Sequence, residues 1–315
     1  MLKKTDKILI TGQEGMVGSA IYKLLKKKKY KIIECKRKYL DFTDYHKVSS
    51  FFKRKKPNII INAAGKVGGI LDNSKYPIDY LNTNILIGLN IINISYKYNV
   101  KKIINLGSAC IYPKITELPI KESYLLSSFL EKTNEAYALA KIVTLKLCEY
   151  YKKNKKKEFI SIQPANLYGD NDNYDLKSSH VIPALIRKFC EAKLNNKPVV
   201  IIWGSGKSKR EFMHVNDLAS AVYFLLKKKT KEYFLNIGTN EEISIRELAN
   251  KLRVISNFQG KIIFDKSKPD GQKRRVLDST KIKKMGWKYN ISLDKGLNKI
   301  YKNFEKEYRI RHSKF

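Results

Sequence analysis

The apolar run Lys7-Ile8-Leu9-Ile10-Thr11 ends in Gly12-Gln13-Glu14-Gly15-Met16-Val17-Gly18 and leads into a helix reaching Lys28. A strand, a glycine-spaced turn and a helix in that order leave few folds open. The first glycine permits the tight turn. The middle one lets backbone approach a pyrophosphate at the helix N-terminus, and the last allows close packing of helix on strand. In this setting Gly-x-x-Gly-x-x-Gly implies a dinucleotide held by residues Gly12, Gln13, Glu14, Gly15, Met16, Val17 and Gly18.

The chain continues as such a fold requires. Further strands are expected over 31–35, 58–62, 102–106 and 159–163, with a long helix over 77–99. The small residues Ala63 and Ala64 after the third strand fit backbone passing beside a cofactor. The fold class is therefore α/β, a doubly wound parallel sheet of the Rossmann type. Past Gly169 the alternation changes. The stretch from Leu176 to Pro183 is expected to open a helix that runs to about Lys193. Strand and turn over 199–206 follow, then a helix after 210–219 running to 229. Shorter segments come at 233–237, 244–254 and 261–264, and a helix from Leu293 closes the chain. We expect 1–165 to form the NADP-binding domain and 166–315 mainly a second, smaller α/β substrate domain. It would be woven from interleaved segments, with part of 214–240 packing on the first domain.

The second strand is followed by Lys36-Arg37-Lys38. Lys36 and Arg37 can meet the 2′-phosphate of NADP where an NAD site places an acid; the alternative is one more charge run. Glu14 does not help hold that phosphate. The cofactor reading is NADP(H).

Thr133-Asn134-Glu135-Ala136-Tyr137-Ala138-Leu139-Ala140-Lys141 reads as a helix start with Thr133 as cap. Tyr137 and Lys141 are four apart, on one face. An ammonium beside a phenol stabilises the phenolate, so proton exchange is expected nearer neutrality than the ordinary phenol value of about 10. The spacing alone also fits a solvated helix face, because Tyr22/Lys26, Tyr98/Lys102, Tyr151/Lys155 and Tyr223/Lys227 share it. Upstream, Gly107-Ser108-Ala109-Cys110-Ile111-Tyr112 follows the fourth strand. A Ser, a Tyr and a Lys in that order behind a nucleotide turn resemble the catalytic set of the extended short-chain dehydrogenase/reductase family, which works on nucleotide sugars.

Within it the chain resembles the GDP-L-fucose synthases over nearly its full length. The carrying stretches are Val67-Gly68-Gly69-Ile70, Leu106 to Pro113, Leu130 to Tyr137, Ser178 to Phe189, and Trp203-Gly204-Ser205-Gly206 running on to Arg210-Glu211-Phe212. Ala109 and Asp170 depart from the usual Ser and Pro. The resemblance implies 3,5-epimerisation of GDP-4-keto-6-deoxy-D-mannose followed by NADPH-dependent reduction of its C4 ketone. Inverting carbons beside a ketone needs a base on one side and an acid on the other. The resemblance puts these roles on Cys110 and His180, with Ser108, Tyr137 and Lys141 at the ketone oxygen. It adds cofactor contacts at Asp41, Leu106, Gly107, Ser108, Lys141, Pro164, Ala165, Asn166, Leu167 and His180. Substrate contacts fall on Lys188, Trp203, Arg210 and Asp278, and a homodimer is implied. Taken singly, Cys110 fits a small core hydrophobe, His180 and Asp41 fit helix caps, and Trp203 fits a core aromatic. A dehydratase would want an acid close after Ser108, and a 4-epimerase has no use for a Cys/His pair. A non-catalytic nucleotide-sensing protein on the same fold would not need the Ser/Tyr/Lys set.

Net charge is +35. Lysine runs at 26–29, 53–56, 155–157 and 227–229 fall at ends of expected helices, where cations suit the helix dipole. They are spread out, so no specific nucleic-acid partner is expected, while the excess favours an anionic substrate. No apolar run approaches the about 20 residues of a membrane helix, and the start leaves no room for a signal peptide. A cytoplasmic protein without a membrane partner is expected. The four cysteines lack paired short spacing, so neither metal nor disulfide is expected, and Cys35, Cys148 and Cys190 read as structural.

Overall fold

The computed structural model describes residues 2–268 and 270–312, apart from the side chains of Arg37 and His312. The first half runs β1 (Lys7–Thr11), α1 (Met16–Lys27), β2 (Lys31–Ile33), α2 (Tyr45–Lys55), β3 (Ile59–Asn62), α3 (Ile70–Lys75), α4 (Pro77–Lys97), β4 (Lys102–Leu106), α5 (Glu135–Lys155) and β5 (Glu158–Pro164). There follow β6 (Asn166–Tyr168), α6 (Val181–Leu194), β7 (Val199–Trp203), β8 (Lys209–His214), α7 (Val215–Lys227) and β9 (Phe234–Ile237). The chain ends with β10 (Glu242–Ser244), α8 (Ile245–Ser256), β11 (Lys261–Asp265), β12 (Arg274–Arg275), α9 (Thr280–Lys284) and α10 (Leu293–His312).

Six strands pair in parallel in the order β2-β1-β3-β4-β5-β9. Alternate side chains along each strand enter different cores. Ile8, Ile10, Ile59, Ile61 and Ile104 pack with residues of α1 and α7. Leu9, Ile60, Ile103 and Phe159 pack with residues of α2 and α4. Both faces are covered, so the middles of these strands are apolar and do not alternate.

One row of polar side chains crosses the carboxyl ends of the strands. Thr11 Oγ1 donates to Asn62 Oδ1 (2.8 Å), Asn62 Nδ2 to Asn105 Oδ1 (2.8 Å), and Asn105 Nδ2 and Gln163 Nε2 both donate to Ser161 Oγ (3.1 Å each). Each buried group finds a partner, so the row costs little and fixes the strand ends against one another. A third core gathers α6, α8 and α10 against β7 and β11.

β8 is an element that the sequence reading took as a lead-in to a helix. Only its last four residues are buried, so no alternation marks it. It pairs with β10, β12 and β6. Its buried Glu211 accepts from Asn240 N (2.7 Å) and Leu277 N (2.8 Å), tying β8 to the segments after β9 and β12. Burial raises the pKa of this carboxyl, and the backbone N–H groups work against that shift.

Three boundaries differ from expectation. β2 stops at Ile33 because the Gln13 side chain donates to Ile33 O (2.7 Å) and accepts from Cys35 N (3.2 Å). α6 begins only at Val181, since Asp175 Oδ1 gathers Lys177 N and Ser178 N into a turn (3.0 and 3.1 Å). Thr133 caps nothing. It lies in a short 3-10 turn over Lys132–Asn134, and α5 starts at Glu135. Lysines do close the last turns of α1, α2, α5 and α7. Among the described residues no helix is long and apolar enough to cross a membrane, and no group of His, Cys, Asp and Glu could hold a metal ion.

Candidate active site

The β1–α1 turn is shaped by its glycines. Gly12 has φ +68°, a left-handed conformation that side chains disfavour. A Cβ on Gly18 would stand 2.0 Å from Gly12 O, so helix and turn could not close. A Cβ on Gly15 would meet only Gly12 O at 3.5 Å, which leaves that side open to a ligand. Gly15 caps α1 without a side-chain bond, so the first-turn N–H groups remain for an anion. Met16 and Val17 pack on the core beneath. Residues 12–18 therefore fit a dinucleotide's pyrophosphate.

Around this cradle, Glu14 and Lys36 are exposed near the end of β2. Burial, then the Glu14 carboxylate, push the Cys35 thiol up to about 11. Arg37 has its backbone in the Arg37–Tyr39 turn, and its side chain lies outside the described residues. Asp41 is not a helix cap: it accepts from Thr43 N (2.9 Å) and Oγ1 (2.8 Å), while Asp44 caps α2. Ala63 and Ala64 are half-buried, with Ala64 N on Thr11 Oγ1 (3.1 Å). Pro164 and Ala165 are buried at the end of β5, Leu167 is half-buried, and Asn166 Nδ2 donates to Glu211 O (2.9 Å).

Beyond β4, a Cβ on Gly107 would fall 1.9 Å from Gln163 Oε1, and that oxygen accepts from Ser108 N (2.8 Å). Ser108 Oγ in turn accepts from Cys110 N (3.2 Å), closing a turn over Ala109–Ile111. Cys110 is half-buried, unlike Cys35, Cys148 and Cys190, which are buried. Asn134 Nδ2 lies on Cys110 Sγ at 3.3 Å.

Tyr137 and Lys141 share the inner face of α5. Lys141 is buried, and its Nζ donates to Leu106 O (3.0 Å), 5.7 Å from the centre of the Tyr137 ring. Burial draws its pKa down to about 8. The other Tyr/Lys pairs differ. Lys26, Lys155 and Lys227 are exposed, and Lys102 sits on a strand with Nζ on Leu225 O at 2.6 Å. The expected depression of the Tyr137 pKa does not occur. Burial raises it, the nearby Cys110 adds to this, and the Ser108 hydroxyl works the other way. Burial is the largest cause, and it outweighs the stabilisation that a neighbouring cation was expected to give. The phenol is thus held protonated.

Two tyrosines meet here. Tyr80, which sequence reasoning missed, is buried and edge-on to Tyr137 with ring centres 6.2 Å apart, its hydroxyl donating to Asp72 Oδ2. A Cβ on Gly68 would collide with Tyr80 Oη at 2.2 Å, so only glycine lets the 67–70 loop cross it. The next residue, Gly69, donates its N–H to Ser178 O (3.1 Å). That contact joins the loop beside Tyr80 and Tyr137 to the segment carrying His180.

His180 is at the N-cap position of α6 but makes no side-chain cap bond. His214 does, accepting from Asn216 N (3.1 Å), and burial takes its pKa to about 4. His180 is exposed as a residue, while burial of its imidazole among neighbouring atoms disfavours the charged form and lowers its pKa.

The substrate candidates divide. Trp203 is 49% exposed, not a core aromatic, with Lys188 Nζ 5.8 Å from its ring centre. Lys188 also donates to Ile201 O (2.9 Å). Arg210 is half-buried; burial and then Arg275 lower its pKa, against Asp270 and Glu242. Asp278 does not join them. It accepts from Thr280 N (2.8 Å) and lines a 220 Å³ hollow with Lys121, Glu122 and Lys281. Nearer Trp203 lies Asp270, whose Oδ1 accepts from Ser205 N (2.6 Å) and abuts Gly204, one residue beyond Trp203. Both acids follow turn residues, so sequence offered no means of choosing between them.

Residues 8–238 match the model of the NAD dependent epimerase/dehydratase family. The chain belongs to that family. It is 45% identical over 302 residues, 96% of this chain and 92% of the relative, to "Putative GDP-L-fucose synthase 2" of Arabidopsis thaliana. It is 45% identical over 298 residues, 95% of each chain, to "GDP-L-fucose synthase" of Sinorhizobium fredii. Among solved structures it is similar to a GDP-mannoheptose C4 reductase from Campylobacter jejuni with NADP bound, at TM-score 0.90 and 32% identity, covering 97% of this chain and 100% of that one.

Proposed function

We propose that this protein is an NADP-dependent GDP-L-fucose synthase, converting GDP-4-keto-6-deoxy-D-mannose to GDP-L-fucose. It epimerises C3 and C5 and then reduces the C4 ketone. The curated relatives of that name support the reading. The observation that carries it is a half-buried thiol, Cys110, beside the Ser108/Tyr137/Lys141 set, with the segment carrying His180 tied to the adjoining 67–70 loop by Gly69 N–H on Ser178 O.

The chain's own groups account for both stages. Ser108 and Tyr137 hydrogen-bond the C4 oxygen, so negative charge there is stabilised when a proton leaves C3 or C5. Cys110, as thiolate, takes that proton, and His180 delivers one to the other face. Residues 12–18 hold the pyrophosphate, Lys36 and Arg37 the 2′-phosphate, and Lys141 the ribose of NADP(H). When bound, NADPH supplies the hydride that reduces C4. Tyr137, held protonated by its surroundings, gives its phenolic proton to the C4 oxygen. Lys188 and Arg210 meet the diphosphate, Trp203 offers a flat face to guanine, and Asp270 accepts from a ribose or base edge.

Residues 1–165 form the cofactor half, with α7 and β9 returning to complete its sheet, and 166–315 otherwise form the sugar-nucleotide half. Two copies associate through α4 and α5. Their outward residues Leu86, Leu139, Val143 and Tyr150 are between 39% and 54% exposed, more apolar surface than a solvated helix pair needs. Light scattering is expected to give the dimer mass, and Leu139→Glu with Val143→Glu the monomer mass. A monomeric parent protein removes this assembly.

The function is tested by incubating the protein with GDP-4-keto-6-deoxy-D-mannose and NADPH in deuterated water. NADPH is consumed and deuterium appears at C3 and C5. Consumption without label would leave a C4 reductase, and no consumption would overturn the reading.

A further inference from the structure

Arg275 ends β12, in register with Arg210 on β8. Its side chain does not follow Arg210 toward the sugar-nucleotide residues. It crosses to the turn after β4, donating through Nη2 to Ala109 O and to Tyr112 O (3.3 Å), while Nη1 bonds Gln272 Oε1. The two carbonyls it holds bracket Cys110. Its Nε is buried and has no hydrogen-bond partner. A guanidinium stays charged at any pH the protein meets. Here it is set into the wall behind the thiol, where burial lowers its pKa and the charges of Cys110, then Tyr112 and Glu131, work against that shift. Glu131 is itself occupied by Lys114 (3.2 Å). On its other sides Cys110 meets Asn134 and Tyr137, neither of which is cationic.

We propose that Arg275 is the positioning residue of the epimerisation base: it locks the 109–112 turn and lends its positive charge to the Cys110 thiolate. This rests on the reading of Cys110 as base. A thiolate needs a nearby cation to form readily near neutrality, and Arg275 supplies one at this turn. Reduction of the ketone, carried by Tyr137 and Lys141, makes no use of it. Sequence alone hides the assignment, because Arg274 and Arg275 are adjacent and Arg274 is spent on Glu242 at the surface.

The test is the rate at which iodoacetamide alkylates Cys110 in the folded protein, followed from about pH 6 to about pH 10, where thiols ionise fully. Cys110→Ser identifies the labelled site, the other three cysteines being buried. Arg275→Gln is expected to slow labelling about tenfold at neutral pH and to converge on the parent rate at alkaline pH, with Arg275→Lys restoring most of the loss. Each variant is judged on the ratio of its own alkaline and neutral rates, and labelling confined to Cys110, with Cys35, Cys148 and Cys190 unmodified, shows that it remains folded. Solvent exchange at C3 and C5 falls in step in Arg275→Gln while NADPH-linked reduction is kept. Equal rates at every pH, or equal slowing at every pH, would overturn the proposal. Exchange that survives Cys110→Ser would instead remove the base assignment, leaving the alkylation result to stand by itself.

Discussion

Tyr137→Phe removes the proton donor at the C4 oxygen, and reduction of the ketone is expected to fall by about 10²–10⁴-fold, the usual contribution of a positioned general acid. Ser108 keeps its hydrogen bond to that oxygen but is a far weaker acid than a phenol. The Tyr80 hydroxyl is committed to Asp72, and Lys141 donates to Leu106 O. The ring of Phe fills the same volume, so the contact with Tyr80 survives and NADPH affinity should change little. Single-turnover loss of NADPH absorbance reads this directly. The same assay has a pH signature. Burial lowers the pKa of Lys141 to about 8, so its ammonium is complete below that value and is lost as pH rises through it. With the charged form needed, reduction declines above about pH 8. A rate unchanged in Tyr137→Phe would end the donor role. A profile flat through pH 8 would end that of the Lys141 cation.

Cys110→Ser separates the two stages. A serine hydroxyl does not ionise near neutrality as a thiol can, so no anionic base forms and deuterium exchange at C3 and C5 should drop by about 10²–10⁴-fold. Reduction of the unepimerised ketone continues, because Ser108, Tyr137 and Lys141 are untouched. The product is then a sugar with the starting configuration at C3 and C5, identifiable by its proton couplings. The substitution is nearly isosteric and leaves Asn134 an acceptor, so stability should hold. Exchange at the parent rate would show that the thiol takes no part.

Much of the site was legible because its residues lie in short contiguous stretches with their structural context attached. Gly12, Gly15 and Gly18 need only the strand before them and the helix after them. Ser108 and Cys110 follow directly from β4, and Tyr137 and Lys141 are one helical turn apart. That Asp270, and not Asp278, lies against Gly204 was hidden for the opposite reason: it is a contact between segments far apart in the chain. Arg275, Tyr80 and Asn134 went unseen for the same reason. The direction of the Tyr137 shift also went astray. Helical spacing places a lysine beside a tyrosine but does not reveal how deeply the phenol is buried, and burial raises its pKa.

The sequence by itself determined the α/β class, the parallel sheet, the glycine cradle and the identity of the groups that can move protons. These follow from local periodicity, turn chemistry and spacing, which a linear string carries in full. The tertiary structure alone decided how those groups are charged and which long-range neighbours serve them: a protonated Tyr137, an uncapped His180 and Arg275 behind Cys110. Burial and through-space electrostatics set these, and both depend on segments brought together only by folding.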